Sequence, residues 1–343
     1  MIYFNLLIIF LILIFIHELG HYLAAKSFGA KVTDFSIGFG KSILSFKDKS
    51  GTNWKISLLP LGGYVKIKGL ESIFQNNNVD NEPDSFHSMN LFKKIFILLA
   101  GSLFNILSAW LCLFFILFFL GISTFKPEIG KIIENSPAEI NDLRVGDLIL
   151  KINENNISYF SDIPKYIGNS DFVSLEILRG NKLILKKIEL IYDIEKNKYL
   201  IGITSNNKPE IIKYNLLLSI KQSSLFIPNY YKESAKYLSQ SFKNNTITKE
   251  LAGPVGIVKM ADQLMLDQVR GVLLIFIMIS LFIAIFNLLP IPLLDGGHIV
   301  YFILRSFFGN NLPESFTKSY LIIGISIISF LFIFVTFNDI FYK

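Results

Sequence analysis

The sequence predicts a polytopic α-helical membrane protein with about four transmembrane helices, a membrane-associated β-hairpin and one inserted α+β domain. Hydrophobic residues make up 52% of the 343 residues, and they are concentrated in blocks long enough to cross a bilayer. The candidate spans lie at about residues 2–25, 95–121, 271–294 and 319–337. A more polar stretch of about 150 residues separates the second span from the third and predicts a folded domain outside the membrane.

Charge and cysteine usage exclude several classes of protein. The net charge of +6 comes from lysines spread over loops, without interleaved aromatic residues, which favours membrane lipid and excludes nucleic acid as a partner. The single cysteine, Cys112, excludes an intrachain disulfide and a Cys-x-x-Cys metal site. The first apolar block lacks a positively charged start and a cleavage site, so we expect it to be retained as a span.

The first apolar block ends in the motif His17-Glu18-Leu19-Gly20-His21, a pattern typical of metal binding. Helical positions i and i+4 share a face, so His17 and His21 can bind one metal ion while Glu18 reaches a water molecule. Ionisable side chains at membrane depth are costly to bury and are usually functional. The motif therefore predicts a Zn²⁺ site, with Glu18 as the catalytic residue of a metalloprotease.

The third apolar block is broken by Pro290 and Pro292, shortly before Asp295. Backbone groups freed at that depth are tolerated only inside protein or beside a cavity, so the break indicates a site. Two histidines leave room for a third protein ligand, and Asp295 is the best-placed carboxylate. An interfacial Asp-Gly turn is the alternative interpretation, and His298 is a weaker candidate ligand for which a structural role is favoured.

Lysine placement predicts the orientation of the spans. Residues 26–94 carry ten lysines against fewer acids, which assigns this segment to the cytoplasm and the N-terminus to the outside. The polar groups of the first three spans, including Asn105, then all lie toward the cytoplasmic side. Asn105 taken alone fits a helix–helix hydrogen bond equally well.

Residues 56–68 contain two β-prone runs around Gly62-Gly63, which predicts a hairpin there. Its edge could pair with an extended peptide substrate, and an ordinary cytoplasmic hairpin is the alternative. The outer region shows the pattern of a small folded domain. A strand is predicted at residues 129–133, a short helix from Ser136-Pro137-Ala138 and a tight turn at Gly146-Asp147.

Together these motifs resemble the site-2 protease family of intramembrane zinc metalloproteases, and within it the bacterial regulator-of-sigma-E protease group. The resemblance covers nearly the whole chain and implies one PDZ-like domain at residues 126–205. Around it lie a membrane core at 1–125, an amphipathic linker at 206–270 and a second membrane core at 271–343. The segment from Gly101 to Asn105 resembles the family's Gly-Pro-x-x-Asn motif, with Ser102 in place of proline. By resemblance the zinc ligands are His17, His21 and Asp295, the catalytic residue is Glu18, and the substrate-binding residues are Asn287, Asn105, Gly62, Gly63 and Tyr64.

The resemblance further implies cleavage of transmembrane substrates already shortened outside a bacterial inner membrane, such as anti-sigma factors or remnant signal peptides, in regulated intramembrane proteolysis. A non-catalytic PDZ scaffold with a vestigial zinc site is the alternative, which the intact Glu18 disfavours. A zinc transporter would need ionisable groups across the whole bilayer, and the outer halves of these spans lack them.

Overall fold

The computed structural model describes residues 2–70, 82–167, 171–193, 198–206, 208–244, 256, 258, 268–308 and 312–341. The chain divides into two compact units, one formed by residues 1–116 and 217–343 and the other by residues 117–216. Its described helices are α1 (Ile2–Ser27), α2 (Leu91–Phe115), α3 (Pro137–Ile140), α4 (Ile163–Ile167), α5 (Leu216–Lys243), α6 (Gln268–Asn287), α7 (Asp295–Phe308) and α8 (Glu314–Phe341). Among the described residues, four helical segments are long and apolar enough to cross a membrane, namely Tyr3–Ser27, Leu91–Leu120, Val269–Asn287 and Glu314–Phe341.

The ends of the spans follow from local chemistry. The Asn90 side chain caps α2 by accepting a hydrogen bond from the Lys93 N–H at 3.0 Å. At its other end α2 continues as a π-helical turn, Ile116–Leu120. The prediction that the third span reaches residue 294 is wrong, because α6 ends at Asn287 and hydrogen-bonded turns lead into α7. Pro290 lacks an N–H and disfavours helix in the residue before it, so the helix cannot continue.

Helices α1, α2, α6 and α7 form the core of the first unit. Gly20 of α1 lies directly against the Ala100 carbonyl of α2, where an added Cβ would overlap the backbone. Small residues at such crossings let two helices approach closely, as is common in membrane proteins. Helices α2 and α6 are joined by the Ser108 and Ser280 hydroxyls, which lie 3.1 Å apart. This contact between the two hydroxyls therefore holds α2 and α6 close together.

Strands β1 (Val32–Lys47) and β2 (Asn53–Ile67) form an antiparallel ribbon between α1 and α2 in the sequence. The ribbon folds back on itself, so that Phe35 lies opposite both Trp54 and Val65. The chain reverses direction near Gly62-Gly63 as predicted, but the two runs do not form a hairpin with each other, because β1 lies between them and pairs with both. The turn that joins β1 to β2 lies where the Asp48 carboxylate accepts hydrogen bonds from the backbone at residues 50 and 52. Asp and Gly readily form such turns, whereas a Gly pair inside a strand permits a bend.

The second unit is a small α+β fold around its own hydrophobic core. Its described strands are β3 (Ile122–Phe125), β4 (Ile129–Ile132), β5 (Leu148–Ile152), β6 (Asn155–Asn156), β7 (Phe172–Arg179), β8 (Lys182–Glu189), β9 (Ile191–Asp193), β10 (Lys198–Leu200), β11 (Ile203–Ser205) and β12 (Pro209–Ile212). Strands β6, β5, β7 and β8 form one sheet in that order, while β4 pairs with β11 and β3 with β12. Fully buried core residues include Ile129, Ile149 and Ile177.

The predicted linker at 206–270 does not have one structure throughout. Residues 209–212 form β12, which pairs with β3, so the linker's first part belongs to the second unit. Residues 216–243 form α5, a long helix that contains Pro228. Residues 245–255, 257 and 259–267 lie outside the described part of the chain.

A buried ion pair should make the second unit sensitive to acid. Asp147 is 1% exposed and accepts hydrogen bonds from the Arg179 guanidinium at 2.8 and 2.9 Å and from the Arg144 N–H at 2.8 Å. Burial alone would raise the pKa of Asp147, but these hydrogen bonds outweigh it and hold the pKa below its usual value. The pair therefore stabilises the fold above about pH 4, and this contribution is lost as pH falls through the lowered pKa.

We predict that Asp147→Asn lowers the free energy of unfolding of this unit by about 3 kcal/mol at neutral pH, because Arg179 loses its buried counter-charge. Urea-dependent proteolysis within residues 117–216, compared at about pH 7 and about pH 3, measures the effect. The wild-type protein should weaken in acid more than the variant. Asp142→Asn is the control, since the Asp142 side chain is 62% exposed and its pairing with Arg179 contributes little. Equal stability of all three proteins would contradict the prediction.

Candidate metal centre

Two imidazoles face each other near the C-terminal end of α1. His17 and His21 are one helical turn apart and each is 8% exposed. Their Nε2 atoms lie 3.2 Å apart, and their rings meet edge to face at 83°. The i, i+4 spacing on a regular helix produces this arrangement, as the sequence predicted.

Asp295, the first residue of α7, lies against the same two nitrogens. Its Oδ2 is 3.1 Å from His17 Nε2 and 3.4 Å from His21 Nε2. Within the described residues, these three side chains form the one group of three or more His, Cys, Asp or Glu able to hold a metal ion. The break after α6 brings Asp295 here, because the chain turns between residues 288 and 294 before α7 begins.

The donor atoms fit a zinc ion. Ligands bound tetrahedrally about 2.0 Å from zinc lie about 3.3 Å from one another, which the three observed separations match. Asp295 Oδ2 is buried and receives no hydrogen bond, although buried carboxylate oxygens usually have a donor. His21 Nδ1 lies 2.8 Å from the Ile97 carbonyl oxygen, so Nδ1–H donates there and Nε2 keeps its lone pair. Two carboxylates, Asp295 and Glu18, beside two imidazoles also give the negative charge that a divalent cation neutralises.

Glu18 lies between the two histidines in sequence and is half-buried. It faces the second arm of β2, residues 63–67, which pairs with the first part of β1. A Cβ added to Gly63 would lie 3.1 Å from Glu18 Cγ, so the strand approaches the carboxylate closely. Of the three hairpin residues predicted to bind substrate, Gly63 therefore lies beside the centre. Gly62 and Tyr64 instead contact Phe39, on whose ring Tyr64 stacks at 6.1 Å.

The two predicted asparagines both contact His17. Asn287, the last residue of α6, is half-buried, and its Nδ2 lies 3.2 Å from His17 Nε2. Asn105 of α2 is fully buried, and its Nδ2 lies 3.3 Å from His17 Nδ1. His298 stays outside the cluster, with Nδ1 3.0 Å from the Leu294 carbonyl oxygen. Asn287 thus lies on the metal-facing side of the imidazole and Asn105 on its opposite side.

Helix α2 supplies two contacts whose roles the sequence analysis did not predict, at Ile97 and Gly101. The Ile97 carbonyl orients His21, and Gly101 leaves space for both imidazoles, since an added Cβ would overlap His21 Nε2 and His17 Cε1. Every residue has a carbonyl, so nothing in the sequence could single out Ile97. The spacing of four between residues 97, 101 and 105 was the available signal for one shared helix face.

We predict that Gly101→Ala lowers zinc affinity by at least about tenfold, because the methyl group displaces the imidazoles from their common point. The measurement is zinc content of the purified protein after dialysis against a graded chelator series. Leu103→Ala is the control on the same helix, since the Leu103 side chain is 46% exposed and far from the ligand face. Zinc retention by Gly101→Ala equal to that of the control would contradict the proposed steric role.

Comparisons with known proteins identify the family of the chain. The sequence pattern of peptidase family M50 matches residues 5–331. A Rickettsia conorii protein whose name includes the words zinc metalloprotease is 35% identical over 342 residues, covering 96% of this chain and 95% of the relative. A Helicobacter pylori (strain J99) protein named with the same words is 34% identical over 348 residues, covering 96% of each chain.

Several solved structures are similar to part of the chain. The PDZ domain of an SdrC-like protein from Listeria innocua is 26% identical, with 24% of this chain and 96% of that chain covered and a TM-score of 0.22. The family match extends through both units and includes His17, His21 and Asp295. The chain therefore belongs to peptidase family M50, the site-2 protease family, and is a membrane metalloprotease, which confirms the resemblance seen in its motifs.

Proposed function

We propose that this protein binds one zinc ion through His17, His21 and Asp295 and cleaves transmembrane segments of single-span proteins. The observation that carries the proposal is the separation of 3.1–3.4 Å among three donor atoms, next to Glu18 and among apolar helices. A zinc site with three protein ligands leaves one position open for reaction, unlike a closed structural site.

Zinc bound here would polarise a peptide carbonyl and lower the pKa of a water molecule. Glu18 accepts a proton from the attacking water as the water oxygen bonds to the carbonyl carbon. Glu18 then returns that proton to the amide nitrogen as the carbon–nitrogen bond breaks. Asn287 carries an amide beside the ligand atoms and is placed to donate a hydrogen bond to the substrate backbone.

Strand β2 is the proposed site of substrate pairing. A transmembrane helix must unwind before its peptide bond can be attacked, and its freed backbone groups then need partners. The arm of β2 that includes Gly63 borders Glu18, so a substrate strand added there would lie beside the catalytic carboxylate. The ribbon also exposes large apolar side chains. Leu44 and Phe46 of β1 and Leu58 of β2 are each more than 60% exposed, which supports contact of the ribbon with lipid.

The substrates and location are proposed from the sequence. The lysine-rich segment 26–94 supports a cytoplasmic position for the ribbon in a bacterial inner membrane, with the N-terminus and the PDZ-like unit outside. The PDZ-like unit fits a role in selecting single-span substrates already shortened outside, such as anti-sigma factors or remnant signal peptides, in regulated intramembrane proteolysis. Transmembrane proteins and membrane lipid are then the partners.

We predict that Glu18→Gln lowers cleavage of a model transmembrane substrate by about 100-fold or more while zinc content stays near normal, because glutamine cannot accept the proton. Cleavage and bound zinc are measured on the same detergent-purified sample. Glu314→Gln, which changes an exposed glutamate at the start of α8, is the control for loss of a carboxylate.

Asp295→Ala serves as the contrasting variant, since loss of a ligand should reduce zinc and cleavage together. Full turnover by zinc-loaded Glu18→Gln would refute the assignment of Glu18. If wild-type protein binds zinc but cuts no transmembrane substrate, the proteolytic proposal fails instead.

We predict that Gly63→Val reduces cleavage at least tenfold without loss of zinc, because its side chain would collide with Ile14 and displace the Glu18 side chain. Ser45→Val, an exposed position on β1, is the matched control on the ribbon. Zinc content and cleavage rate are compared for both variants. Normal cleavage by Gly63→Val would contradict the close approach of this part of β2 to Glu18.

A further inference from the structure

One face of α2 contacts both histidine ligands from behind. Residues 97, 101 and 105 are spaced by four and run antiparallel to the pair on α1, so Ile97 meets His21 and Asn105 meets His17. The Ile97 carbonyl accepts the His21 Nδ1–H at 2.8 Å. A ring held in this way presents Nε2 to a metal, since only one nitrogen of a neutral imidazole carries a proton.

Asn105 occupies the corresponding place behind His17. Its side chain has no exposed surface, and its amide lies 3.3 Å from His17 Nδ1. Its backbone carbonyl accepts hydrogen bonds from the Ser280 hydroxyl at 2.8 Å and the Ser108 hydroxyl at 2.9 Å, which fix this turn of α2 against α6. A substrate cannot reach a fully buried amide without displacing these helices. The expectation that Asn105 contacts substrate therefore has no geometric support.

The orientation of the Asn105 amide decides the tautomer of His17. With Nδ2 toward the ring, two N–H groups would face each other as soon as Nε2 binds zinc, because Nδ1 must then carry the proton. In that orientation Oδ1 is also buried without a donor. Turning the amide by half a rotation breaks no hydrogen bond of Oδ1 and places this oxygen opposite Nδ1–H. The two amide ends are nearly equal in size, so the hydrogen-bond network determines which end faces the ring.

We propose that Asn105 is a positioning residue that accepts the His17 Nδ1–H through Oδ1 and so fixes His17 to bind zinc through Nε2. This inference rests on the proposed zinc site and extends it. Asn105 and the Ile97 carbonyl then act as a pair, one behind each histidine, and both ligands take the same tautomer. Partners behind metal-bound histidines commonly change metal affinity by about 10–100-fold when removed.

The test compares zinc affinity of the full-length protein carrying Asn105→Leu or Asn105→Asp. Leucine has a similar size and no acceptor, so zinc affinity should fall about 10–100-fold. Aspartate restores an acceptor oxygen, so affinity should stay within a few-fold of wild type. Competition with a chromophoric chelator gives the affinity, and the visible spectrum of the cobalt-loaded protein reports ligand geometry independently of turnover.

A merely structural role would weaken the aspartate variant at least as much as the leucine variant, since aspartate buries a charge that leucine does not. Equal affinity of Asn105→Leu and wild type would overturn the inference, as would an Asn105→Asp protein as weak as the leucine variant. If the leucine variant does not fold, Asn105→Ala replaces it with the same expected loss. Absence of zinc binding by wild-type protein would instead remove the proposed zinc site itself, so the two failures are distinguishable.

Discussion

The structure depends on the need to satisfy three polar ligands inside a bundle of apolar helices. An unpaired Asp295 carboxylate at this depth would cost several kcal/mol. If both histidines carry their proton on Nδ1, their two Nε2 lone pairs face each other at 3.2 Å and repel unless a cation lies between them. The convergence of the three ligand atoms within 3.1–3.4 Å makes a divalent cation the natural neutralising partner. This requirement brings α1 and α7 together, because α1 carries His17 and His21 and α7 carries Asp295.

Close backbone packing makes this convergence possible. An added Cβ on Gly296 would overlap the Leu288 carbonyl, and one on Gly324 of α8 would overlap Pro292. The backbone of this turn therefore packs closely against α7 and α8 at these points, as irregular backbone in a membrane protein requires, while the Leu289 and Leu293 side chains are 39% and 41% exposed. Leu293 has a positive φ of 80°, an unfavourable conformation for a leucine that the surrounding packing must hold. The broken helix is a constrained element that places Asp295.

Chemistry and geometry come from different helices. Helices α1 and α7 carry the groups that would bind metal and transfer a proton, whereas α2 carries no ligand. Its contribution is a carbonyl, a gap and an amide along one face, at Ile97, Gly101 and Asn105. Positioning of this kind is common at metal sites, since ring orientation and tautomer decide whether a histidine can bind.

The sequence alone determined the chemistry of the centre and the class of fold. The spacing of four residues places His17 and His21 on one helix face. The two prolines before Asp295 predict a break in the helix, because proline cannot continue the backbone hydrogen bonds. Long apolar runs likewise determine spans, though α6 ends seven residues before the predicted limit of 294, at Asn287. Only the tertiary structure decided which partner each histidine has and how β2 runs past Glu18. The runs before and after Gly62-Gly63 pair with β1 and not with each other, and Asn105 lies behind His17, because contacts between distant elements override local preference.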